Sequence, residues 1–148
     1  MRSASSSARS SSSSSRKSKP LTTELLAPAG GQEALVAAVQ SGADAVYMGF
    51  GAFNARRSAR NFSDEEFRAA VSYCHLRGVK VYLTLNTLVT DRELSALAAE
   101  ARTASECGVD AILVQDWGVL ATLQKIIPGA ALRRCGWTEH PAAPPPAR

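Results

Sequence analysis

Histidine and cysteine are scarce in this chain, with two and three among 148 residues. His75 and His140 stand far apart, and no Ser/His/Asp set, His-Glu-x-x-His helix or Walker loop is present, so no motif-borne zinc, triad or P-loop chemistry is on offer. Cys74, Cys107 and Cys135 form no Cys-x-x-Cys pair. Their odd, sparse count argues against a disulfide scaffold and fits a reduced, cytoplasmic protein. Cys74 and Cys107 fall within or at the end of expected helices, where they read as small buried apolar groups, and no metal site is expected. Long apolar runs are missing as well. Nothing approaches the ~18 residues of a membrane span, so no membrane partner is expected.

Charge is unevenly spread along the chain. Residues 1–20 hold eleven Ser and five basic residues with no acid, residues 21–132 hold nine basic against twelve acidic residues, and residues 133–148 hold three Arg, four Pro and one acid. The formal net charge of +4 therefore belongs to the ends. A mildly acidic body carries no basic stripe for nucleic acid. The first twenty residues cannot bury enough apolar surface to offset ordering entropy and read as a disordered leader. Their Ser/Arg content also resembles a transit peptide or an RNA-binding arm, though five charges make a thin arm.

The body carries a pattern three times: Gly42-Ala-Asp-Ala-Val46, Gly78-Val-Lys-Val-Tyr82 and Gly108-Val-Asp-Ala-Ile112. Each glycine suits the left-handed position just past a helix end. Each opens an apolar run (Asp44–Met48, Val79–Leu85, Asp110–Val114), and Glu24-Leu-Leu-Ala27 makes a first run without the glycine. Such runs suit parallel strands covered on both faces. Helices are expected between them over Gln32–Ser41, behind the capping boxes Ser63-x-x-Glu66 and Thr90-x-x-Glu93, and from an Asp116 N-cap to Ile126. Leu26, Val46, Leu83 and Leu113, or their neighbours, are expected on the inner face.

Four βα units in residues 21–132 predict an α/β fold: the N-terminal half of a (β/α)8 TIM-type barrel. A doubly wound sheet is the competitor, but the first turn, Ala27-Pro-Ala-Gly-Gly31, lacks a Gly-x-Gly-x-x-Gly fingerprint.

Glu24-Leu-Leu-Ala-Pro-Ala-Gly30, Gly42-Ala-Asp-Ala-Val-Tyr47, Asn61-Phe62, Gly78-Val-Lys-Val-Tyr82, Thr84-x-Asn86-Thr87 and Val114-Gln115-Asp116 follow in order. Together they resemble the opening segment of the collagenase-like U32 peptidase family over residues 24–132. The resemblance implies peptide hydrolysis, or in relatives hydroxylation of RNA bases or of ubiquinone, with a peptide or RNA substrate. It implies an iron–sulfur cluster for some full-length relatives, but Cys135 does not match the cluster cysteines and no cofactor is expected here. After Leu132 the register and composition change. That change predicts a truncated member with a Pro/Ala/Arg tail, made by a frameshift or early stop.

Barrel enzymes work at the C-terminal strand ends. Asn86 and Gln115 there either orient a polar substrate or satisfy loop backbone. Asp116 is either a general base or a helix cap. The long second βα loop holds Arg56, Arg57 and Arg60. Of these, Arg56 and Arg60 are the candidates for clamping a carboxylate or phosphate, with a solvated cluster as the alternative. The resemblance places an Arg near Arg56. Glu24, at the opposite end, reads as one half of a structural ion pair. Catalytic residues are not identifiable. The two functional readings are an enzyme domain and a catalytically silent half barrel, the latter a binding module that completes itself as a homodimer.

Overall fold

The computed structural model describes residues 23–54 and 62–135. Strands and helices alternate as β1 (Leu26–Pro28), α1 (Gln32–Gln40), β2 (Ala45–Met48), α2 (Asp64–His75), β3 (Lys80–Leu85), α3 (Leu94–Glu106), β4 (Ala111–Val114), α4 (Trp117–Ile126) and β5 (Leu132–Arg134). The strands form one parallel sheet in the order β1-β2-β3-β4-β5. This α/β architecture is consistent with a partial α/β barrel. It holds one strand more than the four units expected. Leu132 does not close the ordered body: Leu132, Arg133 and Arg134 pair with Ile112, Leu113 and Val114. Two arginines mask this strand in the sequence because β5 lies at the sheet edge, where burial does not impose apolar residues.

The repeated glycines close helices as their positions predict. Gly42, Gly78 and Gly108 have φ of +86°, +71° and +87°. After α1, Gly42 N–H donates to Val39 O and Ala43 N–H to Ala38 O, and Gly108 and Val109 repeat this pair after α3. The repeat's aspartates have a role the pattern did not disclose. Asp44 accepts from Leu25 N–H at 2.8 Å and Asp110 from Val81 N–H at 2.8 Å, so each fastens its own strand to the preceding one. Asp110 also meets His75 Nε2 at 3.0 Å, tying the end of α2 to the start of β4.

Of the two expected capping boxes, Ser63/Glu66 forms in full. The second forms only in part. Glu93 accepts from Thr90 N–H, but the Thr90 hydroxyl donates to the same carboxylate at 2.7 Å instead of capping an amide. Residues 91–93 are consequently a turn, and α3 starts at Leu94.

All four helices cover one face of the sheet. Leu35, Phe67, Val71, Leu97, Ala101, Val119 and Leu123 pack there against Val46, Met48, Val81, Leu83, Leu85, Ile112 and Val114. Val46 and Leu83 thus face the helices, not the inner face expected for them. The inner face carries Ala45, Tyr82 and Ala111, with Tyr47 and Leu113 half-buried beside them. Both faces of these short strands are apolar, so alternation could not decide which was which. Among the described residues no helix is long and apolar enough to cross a membrane.

Candidate functional site

The floor of the inner face is polar and internally paired. Glu24, just ahead of β1, accepts from Lys80 Nζ at 2.7 Å and from the Tyr82 hydroxyl at 2.8 Å. Arg133 of β5 comes within 3.7 Å of the same carboxylate and lies 4.8 Å over the Tyr82 ring. Side chains from the first and last strands can meet only if the sheet curls around this face. Hydrogen bonds from Lys80 and Tyr82 hold the Glu24 carboxyl below its ordinary pKa despite partial desolvation. Glu24 is thus the structural pair expected of it, extended to three partners.

The C-terminal ends of the parallel strands form the opposite rim. Asn86 stands just past β3, with its Nδ2 3.8 Å from Cys135 Sγ just past β5. Gln115 follows β4 and is exposed. Asp116 resolves as a cap: its Oδ1 accepts from Gly118 N–H at 2.7 Å and Val119 N–H at 3.1 Å. Replacing Asp116 with Ala is expected to lower stability by about 1 kcal/mol, the usual cost of a lost N-cap. Urea unfolding monitored by circular dichroism would measure the difference. Arg56 and Arg60 lie outside the described residues. A cleft of about 480 Å³ opens where α1 and α2 begin, lined by Gly30, Gly31, Gln32, Glu33, Phe62 and Glu66.

The loop after β2 is anchored from below by residues the sequence reading missed. Glu100 of α3 accepts from Ala52 N–H at 3.0 Å. Burial pushes its carboxyl up to about 7, opposed by hydrogen bonds from the Ala52 and Phe53 backbones. Its Oε1 is buried without a hydrogen-bond partner among the described residues. Gly51 has φ +65°, and a Cβ there would overlap this carboxylate. Asn54, only 2% exposed, donates through Nδ2 to Gly51 O at 3.3 Å. Glu100 had one signal in the sequence: a carboxylate three residues after Leu97, on the apolar stripe of its helix.

The three cysteines sit on separate elements and form no disulfide. Cys74 is fully buried in α2, and burial pushes its thiol up to about 11, which leaves it inert as a nucleophile. Burial also raises Cys107, at the end of α3. Among the described residues no group of three His, Cys, Asp or Glu side chains is placed to hold a metal ion.

Known proteins share this segment. The chain is 38% identical over 94 residues to the collagenase of Porphyromonas gingivalis, a match covering 63% of the chain and 23% of the collagenase. It is 40% identical over 97 residues to the 23S rRNA 5-hydroxycytidine C2501 synthase of Escherichia coli, covering 66% of the chain and 15% of that protein. It is 34% identical over 105 residues to the tRNA hydroxylation protein P1 of Bacillus subtilis, covering 71% and 25%. The chain therefore spans a quarter or less of the length of these relatives. A family model, Peptidase family U32, matches residues 30–134. This chain belongs to peptidase family U32.

Proposed function

We propose that this chain is the opening portion of a (β/α) barrel that binds an extended peptide at its strand-end rim and does not hydrolyse it alone. The observation that carries this reading is the chemistry of the rim. Gln115 offers an exposed amide that pairs with peptide backbone, while the Asn86 amide meets Cys135 Sγ and Asp116 caps α4. Among the described strand-end residues Asn86, Gln115 and Asp116, no nucleophile stands beside a base. Arg56 and Arg60, in the sequence between β2 and α2, are the binding groups proposed for an acidic or phosphorylated part of a ligand. The similarity to a collagenase supports a peptide ligand. The rRNA synthase and tRNA hydroxylation relatives support RNA as the alternative. Three unpaired cysteines on separate elements support a reducing, cytoplasmic setting. The test is the purified full chain with collagenous and unstructured peptides: binding without cleavage is expected. Turnover above a buffer control sinks the silent assignment, and absence of binding to any peptide sinks the ligand class.

A second reading, self-association that completes the barrel, rests on the sheet edge. Leu25 and Leu26 at β1 are 56% and 41% exposed, beside a strand that has no outer neighbour among the described residues. Sedimentation velocity is expected to give a dimer, and Leu26→Lys a monomer. A parent chain that sediments as a folded monomer at high concentration refutes the pairing.

A further inference from the structure

The Glu100 carboxylate holds a loop with one oxygen, while its other oxygen is buried without a partner. Midway along α3, Glu100 reaches under the corner after β2, where its Oε2 accepts from Ala52 N–H at 3.0 Å. The Phe53 backbone amide adds a second hydrogen bond to the same carboxyl. Oε1 has no hydrogen-bond partner among the described residues. The corner fits closely around this group. Gly51 takes φ +65°, and a Cβ there would overlap the carboxylate. Asn54, itself buried, ties its side chain back to Gly51 O. Phe50 stacks on Phe67 and fixes the β2 end, so Gly51–Asn54 can lift from α3 without disturbing the strand.

Ionisation works against the seated corner. A buried oxygen that carries charge and meets no donor costs far more than a buried neutral hydroxyl. The two backbone donors favour the charged form, but burial outweighs them. Lifting the corner lets water reach Oε1. The lifted state therefore takes the ionised carboxylate and the seated state the protonated one. Neighbouring charge does not supply this difference. Gly49 to Asn54 include no charged residue. The surrounding helices carry Asp64, Glu65, Glu66 and Arg68 on α2, Arg102 and Glu106 on α3 and Lys125 on α4, and none of these contributes to the Glu100 shift. Arg56, Arg57 and Arg60, next in sequence after the corner, lie outside the described residues.

We propose that Glu100 is a proton-operated latch for the corner after β2: protonated, it seats Gly51–Asn54 on α3, and ionised, it lets them lift and so reshapes the strand-end rim at β2. The latch does not depend on which ligand the rim binds. Amide hydrogen exchange of the full chain tests it, read by NMR at pH 5 and pH 8, with and without dilute urea, and corrected for intrinsic rates. Ala52 and Phe53 should exchange by local lifting. That makes them about tenfold or more less protected than Ile112, whose N–H donates to Ala131 O within the sheet, and nearly indifferent to urea because lifting exposes little surface. Their protection should fall about tenfold or more from pH 5 to pH 8, as the lifted state loses a proton that the seated state keeps. In E100Q that pH dependence should vanish. Protection of Ala52 that does not change with pH in the parent overturns the latch. So does Ala52 exchange that matches Ile112 in size and urea response, because only global unfolding would then free the corner. An E100Q profile that follows the parent overturns it as well. If E100Q does not fold, the two parent measurements decide alone.

Discussion

Replacing Phe67 with Ala is expected to lower stability by about 3–5 kcal/mol, a large part of the ~5–15 kcal/mol that holds a domain together. Phe67 is fully buried in α2, and its ring stacks on Phe50 with centroids 4.6 Å apart. Phe50 lies just past β2 and shares a single parallel bridge with Phe62, which precedes α2. These three rings therefore pin both ends of the segment that runs between β2 and α2. A cavity at Phe67 removes apolar burial and also the surface on which Phe50 rests. Phe67→Leu should cost much less, because it keeps most of the volume. Urea unfolding of both variants checks this. A cost below about 1 kcal/mol for Phe67→Ala, far under the usual range for a buried aromatic, would show that the cluster is not the anchor described.

Glu100 should make the chain less stable at pH 8 than at pH 5, and Glu100→Gln should abolish that contribution. Burial raises its carboxyl from 4.5 to about 7 in the folded chain. Between those values the folded state holds a proton that the unfolded state has released. Stability from this group is full below pH 4.5 and is lost as pH rises through about 7. With allowance for its contact with solvent, the loss amounts to about 1–2 kcal/mol. Glutamine can keep the acceptor oxygen for Ala52 N–H but has no proton to lose. Comparing parent and variant by chemical unfolding at both pH values isolates this group from others with opposite behaviour. Glu24 is one of those: its lowered pKa gives stability that is present above its unfolded value and lost as pH falls. Parallel pH profiles for parent and variant would refute the role given to Glu100.

Much of the fold was legible because it is written in local rules. Gly42, Gly78 and Gly108 mark helix ends through backbone conformation alone. Ser63 and Asp116 mark helix starts through the reach of one short side chain to nearby amides. Thr90 failed as a cap although it had the right spacing, because its hydroxyl donates to Glu93 and the preceding turn takes up that pair. β5 was hidden because Arg133 and Arg134 look like a solvent-facing tail. One of them reaches Glu24 and the other backs Trp117, and neither partner is near in sequence.

The sequence by itself determined the order of elements from β1 to α4, the glycine-marked helix ends and the family. Each of these depends on interactions within a few residues or on matching words. Only the tertiary structure decided which strand face lies inward, that Glu24, Tyr82 and Arg133 close one end, and that Glu100 holds the loop after β2. Those facts depend on how far the sheet curls and on which distant side chains the curl brings within a few ångströms. A pattern of apolar runs that is the same on both faces carries no record of that curvature.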